Sequence, residues 1–290
     1  MARRPRRAVR RPGGGRRGAA GGGAVSVRVT WLGHSSVVLD VRSGRAGVPD
    51  VRLVTDPLLH RHAGMLRRRG ERPAAVWQDS DAVLLSHLHH DHAELRSLRL
   101  LGDAPVLTAP ANARWLRARG LRGVGLDDAW HAVGAEAAGV EVRLVAAVHG
   151  HRPMPHRPNA ANGHLVRADG PDGARVWAVG DTEHHPDMVH LPALAGGPVD
   201  VALVPVGGWG PRLSGGHLGP AQAARVCAEV GVGVAIPVHW GTLHAPGGRH
   251  LPRGWMDHAG AAFEAAAQRE APGTRVVVLR PGESWSSDDA

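Results

Sequence analysis

Several residue types are scarce or missing in this chain of 290 residues, and each absence narrows the interpretation. The single cysteine, Cys227, excludes an internal disulfide and agrees with a cytoplasmic location, where thiols stay reduced. We expect no membrane span, because no apolar run has the length of a transmembrane helix. Lysine is absent, so all 35 basic residues are arginines. We attribute this to the coding bias of a GC-rich genome and draw no functional conclusion from it.

The positive charge is concentrated in the first 24 residues. Residues 1–24 hold eight arginines and no acidic residue, so of the total charge of +9 only +1 belongs to the rest of the chain. Because this segment lacks apolar residues able to pack, we expect a disordered tail. It could touch RNA or anionic lipid through charge alone, but we favour an inert extension or a start codon assigned too early. No apolar segment follows its arginine pairs, which argues against an export signal.

The remaining chain has the pattern of one globular domain, residues 25–283, and a polar C-terminus, 284–290, that we expect to be frayed. Runs of strands, with helices between the later ones, predict two sheets with helices outside them. The predicted strands are 27–31, 37–41, 53–55, 82–85, 106–108, 140–148, 165–167, 176–179, 201–204, 234–238 and 275–279. The predicted helices are 111–119, 220–230 and 257–269.

The segment from His87 to His92 holds five ionisable side chains in six residues, directly after the apolar run 82–85. Imidazole and carboxylate are the ligands of Zn²⁺ and of Mn²⁺ or Fe²⁺. A solvated polar turn is the alternative, but side chains at this density repel one another when protonated. A bound cation removes that conflict, so the segment predicts a metal site.

The spacing His-x-His-x-Asp-His in this segment resembles the signature motif of the metallo-β-lactamase superfamily. Further motifs follow in the family's order over residues 27–242. The early Trp-Leu-Gly-His-Ser-Ser is similar to the branch of ascorbate-phosphate lactonase-like and N-acylphosphatidylethanolamine phospholipase D-like hydrolases. The resemblance implies an α/β fold, a four-layer αββα sandwich. The residues that carry it are His34, Asp56, His87, His89, Asp91, His92, His149, Asp181 and His239.

The resemblance also implies a dinuclear site with two divalent ions, in the first place Zn²⁺, with Mn²⁺ or Fe²⁺ as alternatives. A hydroxide between the ions would be the nucleophile. His151 is an alternative to the third histidine, His149. The implied ligands are His87, His89 and His149 for one ion, Asp91, His92 and His239 for the other, and Asp181 for both.

Other residues are candidates for catalysis or for contacts around the site. We expect Asp91 to be catalytic as well as a ligand, and His217, just before a helix, to protonate a leaving group or hold an oxyanion. A structural hydrogen bond is the alternative for His217. Asp56 is expected to orient a ligand histidine, or else to cap a turn. Candidates for substrate contact are His34, Trp209 and Trp240, the two tryptophans being equally compatible with core packing. Histidines interpreted as surface or supporting residues are His90, His184 and His185.

These features predict a hydrolase that acts on a small ester, lactone or phosphodiester. A nuclease of the same superfamily, acting on RNA or DNA, is an alternative, but it requires a basic body and an added nucleic-acid domain, and neither is visible. A non-enzymatic binding protein is another, but every ligand position is filled. β-Lactam hydrolysis is disfavoured, because secreted β-lactamases carry an export signal and the sequence shows no pattern of that kind. The expected partner is a small-molecule substrate, and nucleic acid is expected to bind weakly, through the tail, if at all.

Overall fold

The computed structural model of the protein describes residues 26–42, 47–135, 138–150, 154–169 and 173–289. The predicted tail, 1–24, and the alternative ligand His151 lie outside the described residues. In chain order the strands are β1 (Val27–Gly33), β2 (Ser36–Val41), β3 (Val51–Thr55), β4 (His62–Ala63), β5 (Leu66–Arg68), β6 (Ala82–Leu84), β7 (Val106–Thr108), β8 (Gly123–Gly125), β9 (His131–Val133), β10 (Val140–Ala146), β11 (Asn162–Ala168), β12 (Arg175–Ala178), β13 (Val201–Pro205), β14 (Val234–Val238), β15 (Leu243–His244), β16 (Arg275–Val276) and β17 (Ser284–Ser286). The α-helices are α1 (Leu95–Leu100), α2 (Pro110–Arg117), α3 (Leu191–Ala195), α4 (Pro220–Val230) and α5 (Ala259–Glu270).

Two seven-stranded mixed sheets enclose the main core of the described chain. The first has the order β17-β1-β2-β3-β6-β7-β8, and the second β16-β14-β13-β12-β11-β10-β9. Alternation along each strand divides the apolar side chains between two faces. In β6, Leu84 packs between the sheets while Val83 packs towards the helices. In β12, Val176 packs between the sheets while Trp177 faces outwards.

Helices cover the outer face of each sheet. Side chains of α1 and α2 pack on the first sheet, and side chains of α3, α4 and α5 on the second. Helix α4 follows from its sequence, because Pro220 suits the first turn and Gly231 ends the helix with a φ of +70°. It buries Ala224, Cys227 and Val230 on one face. The predicted αββα sandwich is therefore confirmed.

A third sheet was not predicted from the sequence. It has the order β15-β5-β4 and lies beside the loops that follow β3 and β14. Its strands have two or three residues each, too few to give a recognisable alternation of apolar and polar side chains. Leu58, Ala63 and Leu243 form a small apolar cluster under it.

The prediction of a frayed C-terminus is wrong for residues 284–286. They form β17, which pairs antiparallel with β1, and Trp285 is only 7% exposed in the main core. The pairing partner lies more than 250 residues away in the chain, so no local pattern signals it. The last predicted strand is shorter than expected, 275–276 rather than 275–279. None of the described helices is long and apolar enough to cross a bilayer.

Candidate metal centre

All seven predicted metal ligands lie on loops at one edge of the sandwich. Each loop follows a strand: β6 leads to the segment 87–92, β10 to His149, β12 to Asp181 and β14 to His239. Strands β12, β13 and β14 are parallel, so their carboxyl ends meet at the same edge. The scaffold therefore brings together residues that are more than 150 positions apart.

The first group of side chains consists of three histidines. Nδ1 of His89 lies 2.9 Å from Nε2 of His87 and 3.0 Å from Nε2 of His149. In the neutral histidines, Nδ1 of His89 can donate its proton to only one of these two Nε2 atoms, so the other short contact would place two lone pairs against each other. Three imidazole nitrogens around one point are a common donor set for a divalent ion.

The second group is more deeply buried and contains carboxylates. Nε2 of His92 lies 3.2 Å from Nε2 of His239, and Oδ2 of Asp91 lies 3.7 Å from each of them. His92 and His239 have no exposed surface. The nitrogens and the carboxylate oxygen again form a mixed donor set of the kind that Zn²⁺ accepts.

Asp181 lies between the two groups. Its Oδ2 is 3.1 Å from Nε2 of His92 and 3.2 Å from Nε2 of His239. Ligand atoms of Asp181 also cluster with those of His87 and His149. Its Oδ1 is buried and has no hydrogen-bond partner among the described residues. A buried carboxylate oxygen without a donor is costly, and coordination of a cation would satisfy it.

Hydrogen bonds on the far side of two of the rings fix which nitrogen faces the site. Nδ1 of His149 lies 2.7 Å from the carbonyl oxygen of Gly216, and Nδ1 of His239 lies 2.8 Å from that of Gly207. A carbonyl oxygen only accepts, so both Nδ1 atoms carry protons. Their Nε2 atoms then present lone pairs to the site, as metal ligation requires.

Asp56 and Ser86 orient two further histidines. Oδ2 of Asp56 lies 2.8 Å from Nδ1 of His92. The Ser86 hydroxyl donates to the same oxygen at 2.6 Å, and the Ser86 amide donates to Oδ1 at 2.8 Å. Because its proton is used in this way, the Ser86 hydroxyl accepts from Nδ1 of His87 at 2.9 Å. The expected contact of Asp56 with a predicted ligand is therefore present, and Ser86 adds a second link that sequence reasoning missed.

Backbone geometry also marks this region. Among the described residues, five other than glycine have a positive φ, and His34, Asp56 and His239 are three of them, with values of 52°, 34° and 64°. Such conformations are unfavourable for residues with a side chain and persist where the surrounding structure enforces them. Their concentration here identifies the loops of the site as a constrained part of the fold.

The charges in the cluster are strongly coupled. Burial alone would raise the pKa of Asp181, but His239 and His92 hold it well below its usual value. Burial lowers the pKa of His92, but the carboxylates of Asp181 and Asp91 raise it well above its usual value. Burial and nearby His92 hold the pKa of His87 well below its usual value. The carboxylates of the cluster therefore stabilise nearby positive charge, while His87 is held in its neutral form. Divalent cations at this position would meet both conditions.

His34 lies in a different position from the one expected of a substrate contact. It has no exposed surface, and its Nε2 lies 3.1 Å from Oδ2 of Asp91. Its ring packs on His239 with 4.1 Å between centroids, and burial lowers its pKa to about 4. This geometry favours a role in orienting Asp91 and does not support contact with substrate.

His217 lies at the open side of the site. Its Nδ1 is 3.1 Å from the carbonyl oxygen of Ser214 and 3.2 Å from that of Gly215, so this nitrogen donates. Its Nε2 is 3.4 Å from Oδ2 of Asp181. Burial is the largest single influence on the pKa of His217 and lowers it, but the hydrogen bond to Asp181, the charge of that carboxylate and the Ser214 carbonyl oxygen together outweigh burial, and the net shift is upwards. The position combines contact with the site and access to the adjoining cavity.

The two tryptophans that were candidates for substrate contact differ in position. Trp209 is 40% exposed and lines the cavity above the predicted ligands. Trp240 stacks on Trp31 with 5.4 Å between ring centroids and packs against both core clusters. Trp240 therefore packs in the core, and Trp209 lies where it could contact a bound substrate.

The remaining histidines lie around the site or away from it. Nδ1 of His90 accepts from the Arg157 guanidinium at 3.0 Å, and His90 lines the cavity. Nε2 of His184 lies 2.7 Å from Glu229, on an exposed surface. His185 is buried, and neither ring nitrogen has a partner among the described residues. The interpretation of His184 as a surface residue agrees with this position.

Comparison with known proteins identifies the family. Residues 51–240, well over half of the chain, match the family described as the beta-lactamase superfamily domain. The chain belongs to the beta-lactamase superfamily. The family assignment made from the motif order is therefore confirmed, and so is the enzyme class, a metal-dependent hydrolase of this superfamily.

Several members of the superfamily are similar over most of their length. A metal-dependent hydrolase of Herpetosiphon aurantiacus is 26% identical over 274 residues, which cover 89% of this chain and 97% of the relative. Another, from Symbiobacterium thermophilum, is 30% identical over 209 residues, or 70% of this chain and 80% of the relative. The crystal structure of Igni18, a metallo hydrolase of Ignicoccus hospitalis, superposes with a TM-score of 0.65 at 21% identity, covering 90% of this chain and 98% of Igni18. This likeness shows the shared fold.

Proposed function

We propose that the chain is a dinuclear metal hydrolase that acts on a small ester, lactone or phosphodiester. The observation that carries the proposal is the pair of donor groups, three nitrogens on one side and two nitrogens with a carboxylate on the other, joined by Asp181. The donors are imidazoles and carboxylates without thiolates, which suits Zn²⁺ first and Mn²⁺ or Fe²⁺ next. Divalent ions held there would activate water and polarise the carbonyl or phosphoryl oxygen of the substrate.

The chain's own residues would prepare the site for this chemistry. Asp56, Gly207 and Gly216 hold the outer ring nitrogens, so His92, His239 and His149 keep their orientation before any substrate arrives. Fixed donors need no rearrangement during the reaction, and this lowers its barrier. His34 would hold the carboxylate of Asp91 in the same way.

His217 is the residue that we assign to proton transfer. The carbonyl oxygens of Ser214 and Gly215 retain the proton on Nδ1, so Nε2 is the atom that exchanges a proton with substrate. Nε2 of His217 lies 3.4 Å from Oδ2 of Asp181, and His217 lines the cavity, within reach of a leaving group bound there. We assign to Nε2 the donation of a proton to the oxygen of the leaving group.

Removal and return of metal tests the proposal. The purified protein should hydrolyse at least one member of a panel of p-nitrophenyl esters, lactones and bis(p-nitrophenyl) phosphate. Treatment with a chelator should abolish this activity, and Zn²⁺, Mn²⁺ or Fe²⁺ should restore it. As a matched control, His184→Ala, which removes an exposed histidine bound to Glu229, should keep wild-type activity. Activity that survives after plasma emission analysis shows complete removal of metal would contradict the proposal.

A further inference from the structure

A cavity of about 330 Å³ opens directly above the predicted metal ligands. Its polar wall consists of the site itself, including Asp91, His149, Asp181 and His217. The volume lies at the lower end of the range for small-molecule sites, about 300–1,000 Å³. The cavity therefore has room for a small molecule placed against the donor groups.

The rest of the cavity lining is largely apolar. Its large apolar side chains are Met65, Leu66, Met154 and Trp209. Leu66 packs against the apolar cluster under the small third sheet, so the core accounts for it. Met65 has no such explanation, because it is 82% exposed at the tip of the β4–β5 hairpin. Trp209, 40% exposed, is likewise outside the core clusters.

Large apolar side chains that remain exposed beside a polar site mark a surface for apolar ligand atoms. Met65 is suited to this, because its unbranched thioether adapts to the shape of a bound group. Trp209 offers a large flat face at little cost in conformational entropy.

The described lining of the cavity contains no lysine or arginine. Lysine is absent from the whole chain. Arg157 contacts the lining residue His90, but its guanidinium is already engaged in hydrogen bonds within the protein. Its guanidinium donates to the Leu88 carbonyl oxygen at 2.6 Å and to Nδ1 of His90 at 3.0 Å. Within the described part of the chain, an anionic group placed beside these apolar side chains would therefore find no lysine or arginine in the cavity lining.

We infer that the cavity takes a substrate whose acyl part is a short, uncharged apolar chain or ring, held between Met65 and Trp209. This inference rests on the proposed function, since it names the substrate class of the same site. The scissile carbonyl faces Asp181 and His217, and the acyl chain extends towards the β4–β5 hairpin. Esters, thioesters and lactones of apolar acids fit this description, whereas nucleic-acid phosphodiesters, with their flanking charges, do not.

Binding of carboxylates to the metal-loaded protein tests the inference apart from turnover. Acetate, butyrate and hexanoate, measured by isothermal titration calorimetry, should bind with an affinity that rises about two- to fourfold per methylene, as burial of apolar surface predicts. Met65→Ala and Trp209→Ala should each lower the ratio of hexanoate to acetate affinity at least threefold. Leu100→Ala, which removes an apolar side chain exposed on α1 outside the cavity lining, should leave the ratio unchanged.

The binding series decides the inference, and turnover decides the proposed function. Affinities that are undetectable, that do not change with chain length, or whose ratio is the same in both cavity variants as in the wild type would overturn the inference. Metal-loaded protein that shows the expected binding series but turns over no ester, lactone or phosphodiester would overturn the proposed function alone. Turnover with a flat binding series would overturn the inference alone.

Discussion

The Nε2 atoms of His92 and His239 lie 3.2 Å apart in a region without solvent exposure. Nδ1 of His239 donates to the Gly207 carbonyl oxygen, and Nδ1 of His92 faces the carboxylate of Asp56. Both rings are therefore fixed with Nε2 directed at the same point, where Oδ2 of Asp181 also lies. A divalent cation bound between these atoms would satisfy all three acceptors.

Asp56→Asn should weaken metal binding without removing a predicted ligand. The carboxylate of Asp56 accepts three hydrogen bonds, two from Ser86 and one from Nδ1 of His92. An amide has only one oxygen, so at least one of these contacts is lost. Loss of such a contact typically costs about 10- to 100-fold in metal affinity. Competition with a fluorescent zinc chelator measures this, and Asp40→Asn, which alters an ion pair with Arg52 away from the site, is the control. Equal zinc affinity in the two variants would show that Asp56 does not support the site.

Gly180→Ala should disturb the loop that carries Asp181. Gly180 has a φ of +70°, and a Cβ there would lie 2.9 Å from the Asn162 carbonyl oxygen and 2.9 Å from the Ser86 Cβ. Gly231→Ala is a matched control, because Gly231 has the same φ but open space around its Cα. Both variants should lose about 1–2 kcal/mol of unfolding free energy through the left-handed backbone. Urea unfolding of the metal-free proteins measures that loss.

Of these two glycine substitutions, only the one at Gly180 also creates a steric clash. Gly180→Ala should be less stable than Gly231→Ala and should also bind zinc more weakly, because the clash moves Asp181. If the two variants have the same stability and the same zinc affinity, the loop tolerates the extra carbon and this account of Gly180 is wrong.

His217→Ala should keep the metal content and lower kcat. General acid–base groups contribute about 10²–10⁴-fold, so we expect a loss in that range for alkyl esters, whose leaving groups need a proton. The loss should be much smaller for p-nitrophenyl esters, whose leaving groups depart without one. Steady-state kinetics with both classes measures the difference. An equal loss for both would assign His217 to substrate binding, and unchanged activity would leave it with only a structural hydrogen bond.

The sequence predicted the site residues better than their surroundings, for a local reason. Each predicted ligand lies in a segment that follows an apolar run, so the sequence indicates the strand and the ligand segment together. The carboxyl end of the strand then places that segment at the edge of the sheet. The contacts behind the ligands carry no such signal. Gly207 and Gly216 contribute backbone carbonyl oxygens, which every residue has, so no residue type marks them in the sequence. The contact of His34 with Asp91 joins residues 57 positions apart. Ser86 precedes His87 and was passed over, because serine is common in loops.

The fold was predicted where the apolar pattern is long and missed where pairing is distant or short. Strand β14 and helix α4 have the predicted boundaries, 234–238 and 220–230. Strand β17 was taken for a frayed end, since a lone Trp285 between serines shows no alternation. The small third sheet, which brings Met65 to the cavity, was missed for the same reason.

Protein stability should depend on pH through His164, which is buried between the sheets. Burial lowers its pKa to about 4, against a partly compensating effect of Asp56 and of the Leu107 carbonyl oxygen. A histidine whose pKa is lower in the folded than in the unfolded state stabilises the fold fully above the unfolded pKa of about 6.5. That contribution is lost as the pH falls from about 6.5 towards 4.

The comparison of wild type with His164→Gln isolates this contribution, since the predicted metal ligands titrate in both proteins. The unfolding free energy in urea, measured on metal-free protein, should fall more steeply between pH 7 and 5 in the wild type than in the variant. Parallel profiles would mean that His164 takes up no proton on unfolding and would contradict its assignment as a neutral buried residue.

The metal content of three proteins tests the central claim, two ions joined by Asp181. Plasma emission analysis after purification without chelators should give close to two divalent ions per chain for the wild type. His239→Ala removes a predicted ligand of one ion, so it should retain about one. Asp181→Ala removes the carboxylate that lies between both groups, so it should lose both ions more readily and approach zero after dialysis. A wild type without bound metal, or equal metal content in the two variants, would contradict the account.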